Sequence, residues 1–353
     1  MTVAACEKEL AAQYAAGKWL KKDPARDALQ WARERSASMA IEDLPERIGG
    51  TLVRHGRLVK YLAWTGEKMT AATPEQKNVS IGDTSIDYLH YPGNGPTLIF
   101  LHATGFMPGI WHPIAREFAG TCNVMAPYFC DHRAAEPEDG GLSWLQLAED
   151  IALFCKTLGI ESPFMVGHSM GGAVITLAAG KFGVKPRKMV LIEPIFLPSQ
   201  LYNLKMRVED HPLAGKSIRR KNGWADLDEA KTYLRSKPLF ARWDDEMLEM
   251  YLNYGFVPSQ NEGVTLACHP RQEASLFMGS MAYDPWPLMS GIECPVLLLE
   301  GETSENRPFI DLQKAAGLFP KGQYRLVEEA GHLIPMEKPT DTISIIQEFF
   351  GFR

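Results

Sequence analysis

Short apolar runs alternate with amphipathic stretches along most of the chain. Helical spacing of apolar residues covers 144–158, 173–179 and 340–350. Runs typical of strands buried in a parallel sheet occur at 97–101, 123–127, 164–166, 188–193, 295–300 and 323–327. Two further strands, 79–81 and 85–91, are separated by a short turn. This alternation predicts an α/β fold with a mostly parallel sheet and helices on both faces.

The first part of the chain, residues 1–75, has a different pattern. Apolar residues recur at helical spacing between charges, and Pro24 and Pro45 divide the region into short helices. Two interpretations of this helical N-terminal extension stay open. It is either an amphipathic appendage packed on the main domain, or a dimerisation arm or part of a lid over a site.

A second break covers residues 195–290, between segments 76–194 and 291–353 that form the predicted core. The stretch has helical patterning and many aromatic residues, and it follows the sixth predicted strand. An insertion at this point lies over the carboxyl ends of the strands, where ligands bind in open α/β sheets. We therefore expect a helical cap that closes on an apolar acyl group, although the rings could simply hold the cap together.

Composition restricts the classes of function. The 353 residues are 45% hydrophobic with a formal charge of −6, which permits a large core and argues against nucleic acid as a partner. Six cysteines without CxxC spacing indicate reduced thiols. No run approaches the ~20 apolar residues that span a bilayer, and residues 1–21 lack the apolar segment of a signal peptide. We expect a cytoplasmic protein without stable membrane insertion.

The residues with the clearest chemistry lie around Ser169. The pattern Gly-x-Ser-x-Gly, from Gly167 to Gly171, stands between an apolar strand and a helix-forming run. In that context the serine occupies a nucleophile elbow, with its oxygen raised above the sheet. The backbone N–H of Met170 then lies at a helix N-terminus, where it can stabilise an oxyanion.

Two other segments complete a candidate site. The strand at 97–101 is followed by His-Ala-Thr-Gly-Phe (102–106), where the N–H of Thr104 is placed as the second oxyanion donor. His102 is expected to brace this loop. Far along the chain, His332 follows a strand and a glycine, as a base held above the sheet would. The order is a serine, then carboxylates after later strands, then a histidine.

Together, VGHSMGG, HATGF and the Gly-His-x-x-Pro-Met-Glu-Lys-Pro run resemble the α/β-hydrolase superfamily, in its capped serine-hydrolase (esterase- and lipase-like) branch. The resemblance covers residues 78–353 and departs from the family at 128–133, in the segment after the fourth strand. It implies a Ser–His–acid triad and a two-amide oxyanion hole, with no metal and no organic cofactor.

The resemblance leaves the acid open between two glutamates. Many family members carry it after the seventh strand in a Gly-x-x-Asp pattern, where this chain has Ser304 followed by Glu305. Others take it from the end of the sixth strand, which corresponds to Glu193. Glu305 is preferred, with Glu193 as the alternative.

The sequence therefore predicts a serine hydrolase that cleaves an ester, thioester or related small acyl compound. C–C bond hydrolysis or a lyase reaction on the same triad is an alternative, for which Arg133 and Arg219 are candidate partners of a substrate carboxylate. Two further interpretations belong to different classes of protein: a ligand receptor on a hydrolase fold, and a scaffold protein that binds partners through its N-terminal helices. A homodimer could form through those helices or the cap.

Overall fold

The structure is a computed structural model that describes residues 51–54, 57–60, 73–259 and 262–352. Within these residues, the strands are β1 (Thr51–Arg54), β2 (Arg57–Lys60), β3 (Glu75–Ser80), β4 (Ser85–Tyr91), β5 (Thr97–Leu101), β6 (Asn123–Pro127), β7 (Phe164–His168), β8 (Lys188–Ile192), β9 (Phe256–Pro258), β10 (Val264–Leu266), β11 (Val296–Gly301) and β12 (Gly322–Val327). The helices are α1 (His112–Ala115), α2 (Trp144–Thr157), α3 (Met170–Lys181), α4 (Ala214–Ile218), α5 (Leu227–Arg235), α6 (Asp245–Gly255), α7 (Pro270–Met278), α8 (Leu312–Leu318), α9 (Ile334–Glu337) and α10 (Pro339–Phe350).

Eight strands form one sheet in the order β12-β11-β8-β7-β5-β6-β4-β3. All neighbouring pairs from β6 to β12 are parallel, whereas β4 runs antiparallel to both of its neighbours. The predicted α/β fold with a mostly parallel sheet is confirmed. The carboxyl ends of β5, β7, β8 and β11 consequently meet at one rim of the sheet.

The first strand of this sheet, β3, begins at Glu75, four residues earlier than the pattern predicts. Its first residues are polar, and most of its side chains are exposed or half-buried at the edge of the sheet. Because an edge strand needs backbone pairing more than apolar side chains, hydrophobic periodicity cannot mark where it starts.

Helix α3 is the element behind the nucleophile turn, and it is buried from Met170 to Ala178. It packs against β7 and α2, and the close approach of Gly180 to Leu288 fixes it against a 3₁₀ helix at 286–291. A helix covered on this many sides needs apolar residues all round rather than on one stripe. Its N-terminus is therefore held firmly at the rim.

Residues 195–290 leave the sheet after β8 and return at β11. This insertion contains α4 to α7, short 3₁₀ turns and the antiparallel pair β9–β10. Helix α5 begins with the side chain of Asp226 capping the N–H of Glu229, and α6 begins with Asp244 capping Glu246 and Met247. The helical patterning of the sequence thus corresponds to helices here, with one small hairpin added.

The predicted N-terminal helices lie largely outside the described residues. Within that region β1 and β2 pair antiparallel, with Leu52 opposite Val59, which the helical expectation for this stretch did not include. Among the helices that the structure describes, none combines the length and apolar character that crossing a bilayer requires.

Candidate active site

Ser169 occupies the turn between β7 and α3 with a φ of 55° and a ψ of −114°. A non-glycine residue rarely adopts this strained conformation, which raises the side chain clear of the strand end. The flanking glycines allow the turn to close. A Cβ on Gly171 would lie 2.3 Å from the carbonyl oxygen of Leu101, and one on Gly167 would lie 2.6 Å from the backbone of Gly171.

Glu193 directly follows β8, the strand beside β7, and it also has a positive φ, 48°. Its side chain is only 1% exposed. The backbone N–H of Gly301 donates to Oε1 at 2.6 Å, and the hydroxyl of Ser304 donates to Oε2 at 2.8 Å. A buried carboxylate without donors would be costly, so these bonds both permit its burial and fix its orientation.

His332 lies between the two. Its Nε2 is 3.1 Å from Ser169 Oγ, and its Nδ1 is 3.0 Å from Glu193 Oε2. When Nδ1 carries the proton and donates it to the carboxylate, Nε2 is free to accept the serine proton. Three side chains that are distant in sequence thus form one hydrogen-bonded relay at the rim.

Glu305, the acid preferred from the sequence, is not brought to His332. It is exposed on the loop after β11. Its neighbours Ser304 and Asn306 turn inward instead, to Glu193 Oε2 and to within 2.8 Å of His332 Nδ1. Since the inward positions of this loop are taken by 304 and 306, the intervening side chain faces solvent. The carboxylate at the imidazole is the alternative, Glu193.

Two other histidines brace the rim. His168 Nε2 is 2.9 Å from the backbone oxygen of His332, and burial, followed by the nearby His332, lowers the pKa of His168 to about 3. His102 Nδ1 is 2.9 Å from the oxygen of Ala103, and burial lowers the pKa of His102 to about 4. Both rings are therefore neutral near pH 7, and His168 donates to the backbone of the proposed base.

The two predicted oxyanion donors lie side by side. Met170 is the first residue of α3, where the N–H groups of the first turn have no partner within the helix. Thr104 lies in the tight turn after β5, which is closed by a hydrogen bond from Phe106 N to Ala103 O. The hydroxyl of Thr104 contacts the sulfur of Met170 at 3.4 Å. The turn after β5 is thus in contact with Met170, the residue that follows Ser169.

The insertion covers this side of the rim. Glu273 of α7 lies against the turn after β5, because a Cβ on Gly105 would be 2.3 Å from its Oε1. Arg220 donates from Nη1 to both carboxylate oxygens of Glu273 at 2.7 Å and also bonds Tyr251. The ring of Phe106, from the same turn, packs edge-on against Tyr251 with ring centroids 5.5 Å apart.

A second contact joins the insertion to the loop of His332. Arg242 donates from Nη1 to Thr303 Oγ1 at 3.0 Å and pairs through Nη2 with Glu337 at 3.3 Å. Glu337 in turn accepts from the N–H of Gly331 at 3.0 Å, one residue before the histidine. A 540 Å³ cleft opens beside these groups, lined by Arg242, Glu302, Thr303, Glu329, Glu337 and Lys338.

The arginines considered from the sequence are engaged elsewhere. Arg133 is paired with Asp83 and with the buried Asp150, and Arg219 is exposed. Arg220, the residue after Arg219, turns inward instead and pairs with Glu273. Within the described part of the chain, no three His, Cys, Asp or Glu side chains group as a metal site would require. Five cysteines there are free thiols: Cys122, Cys130, Cys155, Cys268 and Cys294.

The fold and the geometry of the site together define a class of protein. A sequence profile described as "Alpha/beta hydrolase family" matches residues 98–344. The chain therefore belongs to the α/β hydrolase family.

Among its relatives, the chain is similar to a 2-(acetamidomethylene)succinate hydrolase of Mesorhizobium japonicum, with 23% identity over 275 residues that cover 77% of this chain and 94% of that protein. It is also similar to an N-formylmaleamate deformylase of Pseudomonas putida, with 25% identity over 272 residues that cover 74% and 90%. The crystal structure of an E-2-(acetamidomethylene)succinate hydrolase matches with a TM-score of 0.66 and 20% identity, covering 79% and 99% of the two chains. This structural similarity concerns the fold alone.

Proposed function

We propose that this hydrolase is a serine hydrolase that cleaves an ester, thioester or related acyl compound through an acyl-enzyme. The observation that carries the proposal is the unbroken relay from Ser169 Oγ through His332 to Glu193, with contacts of 3.1 and 3.0 Å. Such a relay serves to make a hydroxyl nucleophilic near neutral pH. A serine outside a catalytic site needs neither the strained turn nor the aligned imidazole.

In the proposed reaction, Ser169 attacks the carbonyl carbon while His332 takes its proton through Nε2. The N–H groups of Met170 and Thr104 stabilise the developing oxyanion, which is the kind of contact worth about 10²–10³ in rate. His332 then protonates the leaving group. A water molecule, activated by the same imidazole, releases the acyl group and restores the free serine.

We further propose that the insertion acts as a cap that selects the substrate. Its buried rings Phe240, Trp243 and Tyr251 pack on one another. Trp243 and Tyr251 also pack on Phe106 of the turn after β5. These contacts support a largely apolar covering for an acyl group. Arg220 and Glu273 form a charged element within it.

The named substrates of the two relatives widen the range of compounds to be tried. Their names describe an acetamido compound and a formylated amide, in which the acyl group is attached to nitrogen and the molecule is acidic. A panel of esters, thioesters and N-acyl compounds, each with and without a carboxylate, would identify the substrate class. Burst kinetics on the best compound separates an enzyme from a receptor, which would release one equivalent of product and stop.

Replacement of Ser169 tests the proposal directly. Ser169→Ala should lower kcat on a p-nitrophenyl ester by a factor on the order of 10⁶, the loss seen when a catalytic serine is removed elsewhere. Ser344→Ala, an exposed serine on α10, is the matched control and should stay within twofold of the unaltered protein. A fluorophosphonate should label Ser169, as located by mass spectrometry. Retained activity in Ser169→Ala, or a label on another residue, contradicts the proposal.

A further inference from the structure

The nitrogen of His332 that faces Glu193 has a second polar neighbour. The Nδ2 end of the Asn306 side-chain amide is 2.8 Å from His332 Nδ1, while Glu193 Oε2 is 3.0 Å from the same atom. One ring nitrogen therefore has two partners from different loops. The relay of Ser169, His332 and Glu193 does not account for the second.

The carboxylate decides which end of the amide faces the ring. Glu193 can accept from His332 only when Nδ1 carries the proton, and a hydrogen bond to an ionised group is roughly twice as strong as one between neutral groups. The carboxylate therefore fixes the proton on Nδ1. An amide N–H at 2.8 Å would then meet another donor, whereas the amide oxygen would accept. Because the two ends of an Asn amide are distinguished by their hydrogen bonds and not by their shape, we exchange them and assign Oδ1 to the end that faces the imidazole.

The loop that carries Asn306 is held in place independently. The N–H of Asn306 donates to Ser304 Oγ at 3.3 Å, and its carbonyl oxygen accepts from Phe309 N and Ile310 N, both at 2.9 Å. The hydroxyl of Ser304 itself donates to Glu193. The amide and the carboxylate are thus parts of one network, which fixes the plane of the imidazole from two sides.

We propose that Asn306 is a positioning residue for His332, sharing the Nδ1 proton with Glu193, and that position 306 can carry the acid of the triad. The inference rests on the proposed serine hydrolase. Asp and Asn have the same length and shape, so Asn306→Asp places a carboxylate oxygen where the amide oxygen now lies. A carboxylate there would fix the tautomer of His332 without Glu193.

A set of variants tests this by rescue. Glu193→Gln should lower kcat on a p-nitrophenyl ester about 10⁴-fold, because loss of the acid favours the wrong tautomer. Adding Asn306→Asp should recover at least about 100-fold of that loss. Adding Asn253→Asp instead, an exposed asparagine of α6, introduces the same charge away from the ring and should recover nothing. Glu305→Gln alone should stay within twofold of the unaltered protein.

A second readout does not depend on turnover. Among the described residues, the titratable groups at the His332 ring are Glu193 and His168, the latter at a ring distance of 5.2 Å. Glu337 contacts the N–H of Gly331, one residue earlier, and pairs with Arg242. A carboxylate beside Nδ1 can only accept a hydrogen bond, so it favours the tautomer that carries its proton on Nδ1. In Glu193→Gln, adding Asn306→Asp should therefore return His332 to the Nδ1–H tautomer, measured by nitrogen NMR of the imidazole, whereas adding Asn253→Asp should not.

The outcomes separate this inference from the proposed function. Rescue of kcat together with the restored tautomer supports the inference. A protein that hydrolyses nothing yet shows the restored tautomer contradicts only the hydrolase proposal. The inference is overturned if Glu193→Gln/Asn306→Asp keeps both the kcat and the His332 tautomer of Glu193→Gln. Asn306→Leu adds a check: loss of the second acceptor should lower kcat about tenfold with KM unchanged.

Discussion

At the rim of the sheet, the groups around Ser169 are held mainly by the backbone, whereas the insertion above them is held mainly by side chains. The nucleophile turn closes through direct backbone contact between Gly171 and Leu101, and Glu193 is fixed by the N–H of Gly301. In the insertion, edge-on ring contacts and the Arg220–Glu273 ion pair hold the structure together.

The difference has a physical consequence. Backbone contacts at fixed strand ends leave no room for added side-chain atoms, so the reacting atoms keep their positions as long as the glycines of the turn are retained. Ring contacts and ion pairs depend on the identity of both partners, so a substitution there changes the shape or the charge of the insertion. In this arrangement the chemistry is set by the rim, and the choice of substrate is open to change in the insertion.

Of the substitutions that compare the rim with the insertion, the largest expected effect comes from adding one methyl group at the rim. Gly171→Ala forces a Cβ to within 2.3 Å of a backbone oxygen that cannot move aside. We expect a loss of about 3 kcal/mol in unfolding free energy and about 100-fold in kcat, because Ser169 and the Met170 N–H shift together. Urea unfolding and ester kinetics measure the two.

The matched control is the same substitution at a helical glycine that has open space around its Cα. Gly317 lies exposed in α8, and nothing stands within 4 Å of a Cβ added there. Gly317→Ala should raise the unfolding free energy by about 0.5–1 kcal/mol, since alanine is the better helix former. Equal effects of the two substitutions would show that the rim is not rigid in the way the contacts indicate.

The next effect is expected in the insertion. Arg220→Met removes the partner of Glu273, which is 7% exposed, and leaves its charge buried against Gly105. Loss of about 3 kcal/mol in unfolding free energy is typical of such a break. The double variant Arg220→Met/Glu273→Leu should recover most of it, because an apolar pair of similar volume is often neutral. Urea unfolding measures each variant.

An exposed ion pair provides the control for this prediction. Arg325 and Glu348 are 2.8 Å apart, with side chains 47% and 72% exposed. Solvent screens such a pair, so Arg325→Met should change the unfolding free energy by less than about 1 kcal/mol. If Arg220→Met is equally mild, the Arg220–Glu273 pair contributes little to the insertion.

Residue patterns along the chain were sufficient to predict the fold and two residues of the candidate site. Runs such as 97–101 and 123–127 are buried on both faces, so their composition marks them as strands. Ser169 and His332 could be selected because the nucleophile turn and the glycine before the histidine leave a local pattern. These features depend on neighbours in sequence.

The remaining parts of the site depend on neighbours in space. Glu193 and Glu305 each follow a strand that ends at the same rim, and only the path of the loop after β11 decides between them. Ser304, standing where an aspartate is common, was a usable signal that the acid lies elsewhere. Asn306 gave no signal. The inward turn of Arg220 rather than Arg219 is set by its partner 53 positions away.

A smaller effect, specific to the rim, is expected on acidification. The pKa of His168 is lowered to about 3 in the folded chain, chiefly by burial, against an ordinary 6.5. Below pH 6.5 the unfolded chain therefore binds a proton that the folded chain excludes. The contribution of His168 to the unfolding free energy is complete above pH 6.5 and is lost as the pH falls toward 3. The loss is about 2 kcal/mol at pH 5. His102, with a pKa of about 4, acts in the same direction.

His168→Gln isolates this contribution, because a glutamine amide can still donate to the backbone of His332 but does not titrate. We expect the variant to be somewhat less stable than the unaltered protein at pH 7, and to lose about 2 kcal/mol less between pH 7 and pH 5. Urea unfolding at several pH values between these limits gives the comparison. His211, whose pKa burial lowers in the insertion, offers a parallel substitution away from the rim. An unchanged pH dependence in His168→Gln would mean that His168 takes up its proton without cost, and that the rim tolerates charge as readily as the insertion does.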